Sequence, residues 1–396
     1  MTDIPHKHLS EKLHRVEAID ALRGLAAVMV LLYHARGMFW VGFSETFQHY
    51  RWHPDFNALL GYLSMPLGYG SVGVTLFFVL SGYCIHRRGA LLLAKNPKAK
   101  LDIGAFAIRR FWRIYPTYFA ALVLTALVDT WLLARTGYRD PVQDDSIWAF
   151  GVSLLTLQGY LAHHFGSNGV FWTLAMEVHL YAAYPLLFYI SRRFGAWRAL
   201  LFTLGVAAVY IALNYSIGIE EHFPYRFQRG PVFLPYWFTW TTGFFFAEIQ
   251  AGRVADFGRW TWRGLMVTGI FVGLGLTIIG ANEAADVFWA IFFTGFLRWS
   301  VGPRGRLFWG GWLGVALAFV GVFSYSLYAV HAPLLEAIHA LVGLAVGAKF
   351  AAIWPSFVAA AATIPCAWLF FHAVEWWSIR KPGERLPILA LGRKHA

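Results

Sequence analysis

The chain has 396 residues, of which 58% are hydrophobic and 14% charged, where a soluble domain carries roughly 45–50% apolar and about 25% charged residues. That composition excludes an ordinary soluble enzyme, and 35 Phe, 19 Trp and 18 Tyr supply the amphipathic rings that favour a bilayer boundary. A net charge of +12 would point to nucleic acid in a soluble protein; here membrane topology accounts for it, and no nucleic-acid partner is expected.

Lys7, Lys12 and Arg15 precede a first apolar segment, 18–40. The arrangement resembles a secretory signal, but Arg23 and His34 interrupt the apolar run and no small-residue cleavage site follows, so it reads as a retained span. Further apolar segments fall at 70–86, 104–133, 170–190, 197–217, 231–250, 264–281, 285–301, 319–343 and 350–376, each long enough to cross a hydrocarbon layer as a helix. The expectation is an all-α polytopic integral membrane protein of about ten transmembrane helices. Residues 1–380 form its transmembrane domain and 381–396 a short cytoplasmic tail. Segment 147–161 is marginal, because Gln158 and two glycines interrupt it.

Charge arbitrates. With ten spans and a cytoplasmic N-terminus, 25 of the 33 Lys and Arg lie inside and seven outside, whereas a full crossing by 147–161 would leave 14 inside and 18 outside. Inner loops carry the excess of Lys and Arg. The segment is therefore expected to be re-entrant or interfacial, before the fourth span, with a polar pocket near residues 146–168 on the outer face. The chain is placed in the inner (cytoplasmic) membrane with both termini cytoplasmic. Cys84 and Cys366 both lie in apolar segments, implying neither a disulfide framework nor a metal site. No internal repeat is visible, which argues against an inverted-repeat transporter.

Ionisable residues inside spans are costly and mark sites or pathways. Arg23 and His34 are eleven residues apart, about three turns, so they share one face with a rise of about 16 Å between them. Arg109, Arg110 and Arg113 open the third span. They satisfy the inside-positive bias or, since guanidinium forks grip phosphate oxygens, form an anion clamp. Glu177 in the fourth span is placed at a depth comparable to His34, either as a structural ion pair or a protonated, hydrogen-bonded acid, or as the group that orients His34 or binds a hydroxylated acceptor. The ninth span carries Tyr328 and a second histidine, His331, followed by Pro333, which can kink the helix. Ser81 and Tyr83 on the second span and Trp172 on the fourth are further candidates for cavity or acceptor contacts, with helix packing the plainer role for the first two.

Ile19-Asp20-Ala21-Leu22-Arg23-Gly24 through His34, Leu76-Phe77-Phe78-Val79-Leu80-Ser81-Gly82-Tyr83, Arg110-Phe111-Trp112-Arg113-Ile114-Tyr115-Pro116, Trp172-Thr173-Leu174-Ala175-Met176-Glu177 and Ser324-Tyr325-Ser326-Leu327-Tyr328 followed by His331 closely resemble the acyltransferase-3 family. The resemblance spans almost the whole chain. It implies a ten-helix inner-membrane enzyme that moves an acyl group, often acetyl, from cytoplasmic acyl-CoA to a hydroxyl of an extracytoplasmic glycan or lipid-linked sugar. Acyl-CoA is then a co-substrate, and no permanently bound cofactor or metal is implied. Carried over by motif, His34 is the general base assisted by Glu177, and Arg23, Arg110 and Arg113, with Arg109 beside them, hold the donor. The rival readings are a proton-coupled exporter and a non-catalytic subunit of a polysaccharide assembly system.

Overall fold

Runs of Leu, Val, Phe and Ala leave the backbone no water to bond, so each apolar segment closes its own hydrogen bonds as a helix. The computed structural model describes residues 4–50, 55–137, 144–218, 233–342 and 348–379, without the side chains of 4–16, 49 and 50. The expected tail, 381–396, lies outside the described residues. All regular structure among them is helical; two isolated bridges, Trp40 to Phe350 and Asp144 to Phe165, tie loops together.

In chain order the helices are α1 (Ile4–Phe39), α2 (Phe43–Tyr50), α3 (Phe56–Leu63), α4 (Val72–Lys95), α5 (Ile103–Thr136), α6 (Ile147–Leu154), α7 (Phe171–Phe194) and α8 (Ala196–Ile217). There follow α9 (Leu234–Gln250), α10 (Arg259–Ile278), α11 (Asn282–Val301), α12 (Pro303–Trp309), α13 (Trp312–Val322), α14 (Ser324–Leu341), α15 (Trp354–Phe370) and α16 (Trp376–Ile379). Each of the ten apolar segments is helical where described, but among the described residues seven helices are long and apolar enough to count as spans by those measures, or eight with the bent pair α12–α13. The helices that fall short, α7, α9 and α14, are those into which polar groups crowd or which are brief: α7 holds Glu177 and His179, α9 has 17 residues, and α14 holds His331, Glu336 and His339.

Two boundaries differ from expectation. Segment 319–343 is not one uniform helix: α13 ends at Val322, Phe323 leaves helical geometry at φ −111°, and α14 begins at Ser324. Before it, α12 and α13 meet at 84°. Segment 147–161 contains only the eight-residue α6, about 12 Å of helix and too short to cross a bilayer. A loop with Thr156, Gly159 and Gly166 at positive φ follows it.

Close helix approach sets the frame. A Cβ on Gly82 would stand 1.9 Å from the Trp240 carbonyl oxygen, and one on Gly243 would stand 1.9 Å from that of Val79, so α4 and α9 touch backbone to backbone, as small residues permit in membranes. Gly24 and Gly321 bring α1 against α13 in the same way. The α1–α4 pair is antiparallel, with Gly70 against Met29 and Tyr33 and Gly73 against Ala26 and Val30. Ser81, eight residues beyond Gly73, is thus about 12 Å further along, level with Arg23 and far from His34.

Candidate active site

A cavity of about 170 Å³ opens among α1, α4, α5, α7 and α14. Its polar lining includes Arg23, Arg110, Arg113, Glu177, Tyr181 and Ser81, together with Ser324, Tyr325, Tyr328, Thr173 and Cys84. Motifs more than 300 residues apart in the chain, from Arg23 to Tyr328, therefore converge on one space.

The three arginines of that lining have different partners. Arg113 donates to Glu375 at 2.6 Å, and the other Glu375 oxygen accepts from the Ser326 backbone N–H (3.1 Å) and hydroxyl (2.6 Å). Glu375 is fully buried. It is brought into place by a five-residue π turn, Phe371–Glu375, between α15 and α16, a helix irregularity that often accompanies functional sites. Arg110 makes no hydrogen bond or ion pair among the described residues; its buried Nε lacks a partner, and its guanidinium lies over the rings of Phe106 (5.6 Å) and Tyr181 (5.8 Å). Arg23 likewise makes no hydrogen bond among the described residues and has Asp20 as its nearby charge. The expectation of a clamp from Arg110 and Arg113 is thus modified, since one member already has a carboxylate. Arg109 is exposed and does not line the cavity.

Glu177 accepts from Ser81 Oγ (3.2 Å) and, in a short contact, from the Tyr181 hydroxyl. Trp240 Nε1 in turn donates to Ser81 Oγ at 3.2 Å. No hydrogen bond joins Glu177 to His34 among the described residues, and the antiparallel register of α1 and α4 sets them at different depths. The expectation that Glu177 orients His34 is therefore corrected. The carboxylate belongs to the arginine end of the cavity.

The partner of His34 is His331. His34 Nδ1 lies 2.9 Å from the Val30 carbonyl oxygen and 3.2 Å from His331 Nε2, while His331 Nδ1 lies 2.8 Å and 3.2 Å from the carbonyl oxygens of Tyr328 and Leu327. His331 is 1% exposed and His34 half-buried. Tyr328, one turn before His331 on α14, lines the cavity, meets the Thr173 hydroxyl at 2.7 Å and packs edge-on to His331. The histidine pair thus sits just past the cavity's far end, and Tyr328 marks the junction.

Two candidates lie elsewhere. Tyr83 is fully buried, donates to Gln250 Oε1 at 2.6 Å and stacks on Phe246, which is packing. Trp172 leans on Tyr236 and does not line the cavity.

Of residues 146–168, where the sequence predicts a polar pocket, none lines the cavity described above, and the polar groups there serve as fasteners. Asp129 on α5 accepts from Ser167 N–H and Oγ at 2.8 and 2.6 Å. Gln158 Nε2 donates to the Phe171 carbonyl at 3.0 Å. Pro333 has no N–H, so the carbonyl of Ala329 loses its helical donor; Asn168 Nδ2 takes that place at 2.9 Å. This loop therefore braces α14 within one turn of His331.

A second buried polar cluster stands apart, where α4, α7 and α9 meet. Glu248 Oε1 accepts from His86 Nε2 (2.7 Å), Ser191 Oγ (2.6 Å) and Arg253 (2.8 Å), with His86 stacked on Phe244 at 3.4 Å. Neither this cluster nor Glu375 was singled out from sequence. The available signal was the same for both, an acidic residue inside an apolar segment.

Residues 16–372 match the acyltransferase domain of the acyltransferase-3 family. Among named relatives, the acyltransferase MdmB of Streptomyces mycarofaciens is 26% identical over 166 residues, 41% of this chain and 39% of that one. Nodulation protein 10 of Rhizobium leguminosarum bv. viciae is 23% identical over 68% of this chain and 70% of its own length. The peptidoglycan O-acetyltransferase OatA of Listeria monocytogenes is 27% identical over 43% of this chain, but only 24% of its own length is spanned. No solved structure matches. With its matching region running from the first span to the π turn, the chain belongs to the acyltransferase-3 family.

Proposed function

We propose that the protein is an acyl-CoA-dependent O-acyltransferase of the inner membrane, moving an acyl group, acetyl foremost, from the cytoplasmic face to a hydroxyl of an extracytoplasmic or lipid-linked glycan. The observation that carries this reading is the cavity itself: Arg23 and Arg110, neither hydrogen-bonded to a carboxylate among the described residues, line it, and an imidazole pair stands just beyond Tyr328. The nucleotide of coenzyme A is polyanionic and stays with the aqueous face, whereas its thin pantetheine arm can enter a membrane-embedded channel. Arg110 and Arg23 offer free guanidinium forks to the donor's phosphates. Arg113, anchored by Glu375, adds positive field, and exposed Arg109 reaches the nucleotide from the surface.

At the far end His34 takes the proton of the acceptor hydroxyl as that oxygen attacks the thioester carbonyl. A C–O bond forms, the C–S bond breaks, and the departing thiolate recovers the proton from the imidazolium. General-base assistance of this kind supplies about 10²–10⁴-fold. Glu177 holds Ser81 and Tyr181 in the wall the donor passes. The test is to incubate the purified full chain with radiolabelled acetyl-CoA and candidate glycans. Saturable coenzyme release that depends on acceptor is the expected result; an exporter or an inert assembly subunit gives neither release nor saturable binding.

A further inference from the structure

The contacts of the histidine pair assign its protons. Carbonyl oxygens only accept, so His331 Nδ1, facing those of Tyr328 and Leu327 at 2.8 and 3.2 Å, carries a hydrogen. In a neutral ring its Nε2 is then a bare lone pair. His34 Nδ1 faces two acceptors, the Val30 carbonyl at 2.9 Å and that lone pair at 3.2 Å, so it too carries its hydrogen. By elimination His34 Nε2 is the unprotonated nitrogen.

We infer that His331 is a positioning residue for acyl transfer: its Nε2, together with the Val30 carbonyl, holds His34 in the Nδ1–H tautomer and leaves His34 Nε2 as the atom that takes the acceptor's proton. The inference rests on the acyl-transfer reading above. In hydrolytic triads a carboxylate performs the corresponding task. Here a neutral imidazole does it, held by main-chain carbonyls of α14. When Nε2 of His34 gains the hydroxyl proton, the Nδ1–H to His331 Nε2 bond becomes charge-assisted and stronger; when the thiolate leaves, that proton returns to sulfur and the pair is restored. His331 gains and loses no proton in the cycle. Its placement at 1% exposure, away from the cavity lining, fits a group that acts on another residue and does not touch substrate.

The test uses the full-length protein with labelled acetyl-CoA and compares His331→Gln, His331→Asn and His331→Leu. Gln sets an acceptor oxygen where Nε2 stood, Asn sets one only where Nδ1 stood, and Leu sets none. Expected is a roughly 10²-fold fall in kcat for Leu and Asn, within the range general-base assistance supplies, with KM for acetyl-CoA within a factor of about two, and substantial recovery by Gln. If the Leu variant fails to fold in detergent, the Gln–Asn pair alone decides. Equal turnover of Gln and Asn, or a loss lying in KM for the donor, overturns the assignment while leaving acyl transfer standing. Absence of acceptor-dependent transfer by the unaltered chain overturns the acyl-transfer reading itself.

Discussion

Two buried clusters of ionisable side chains show how differently the same residue types behave. Around Glu248, three donors from α4, α7 and the loop after α9 converge on one carboxylate oxygen, and every basic group there has a partner. Around the cavity the balance is reversed. Three carboxylates stand near Arg23, Arg110 and Arg113, yet only one is bridged to an arginine: Glu375 pairs with Arg113, Glu177 pairs with hydroxyls, Asp20 is the nearby charge of Arg23, and Arg110 has no hydrogen-bond or ion-pair partner among the described residues. A carboxylate oxygen that gathers donors from three elements locks helices together, even though the other oxygen of Glu248 has no hydrogen-bond partner among the described residues. Leaving a cation without its counter-charge beside a void is costly within a membrane, and a ligand that supplies negative charge removes that cost.

The contrast breaks first at His34. Replacing it with Ala should lower acyl transfer by about 10²–10⁴-fold while labelled coenzyme still binds; near-normal turnover would remove it from the chemistry. Glu248→Ala should act on the fold instead. It strands His86 and Arg253 in a buried site, and breaking such a group costs about 3–5 kcal/mol, readable as a fall in the thermal unfolding midpoint in detergent. Arg110→Ala should do the opposite: stability holds or rises, and KM for the donor climbs by roughly 10- to 150-fold, the loss of one charge-assisted contact of about 1.5–3 kcal/mol. A matched loss of stability in both variants would erase the distinction between the clusters.

The smallest effect is expected at the membrane surface. Burial pushes the Asp256 carboxyl up, but the Arg298 guanidinium and the Trp262 N–H outweigh it and hold it below its ordinary value. Stability from this group is therefore present above the unfolded carboxyl value and lost as pH falls through the lower folded one. Both side chains are partly exposed, so Asp256→Asn should cost under about 1 kcal/mol at neutral pH. The difference from the unaltered protein should begin to shrink below about pH 4, the unfolded aspartate range, and vanish once pH is under the lower folded value, in unfolding measured across pH.

Much of this was legible in advance. Apolar length placed a helix at every expected segment, and counting Lys and Arg argued against a full crossing by 147–161, where α6 proves too short. Arg23, Arg110, Arg113, Ser81, Glu177 and Tyr328 do meet in one cavity. Pairing was not legible. Helical spacing puts Arg23 and His34 on one face, but the level of Glu177 depends on how α7 and α4 register against α1, which glycine contacts at Gly70 and Gly73 decide. His331 and His34 are 297 residues apart, and nothing local announces their contact. Glu375 turns toward Arg113 only because one π turn shifts its face. Tyr83 packs, the plainer of its two expected roles, and Trp172, a candidate by motif, leans on Tyr236 outside the cavity lining.

A structure of the full chain with a non-hydrolysable acetyl-CoA analogue tests the central claim most directly. The expected result is coenzyme phosphates against the guanidinium groups of Arg110 and Arg23, with the sulfur of a thioether analogue beside Nε2 of His34. Phosphates bound away from that cavity, or a sulfur that stops beside Glu177 with the histidine pair out of reach, would contradict it.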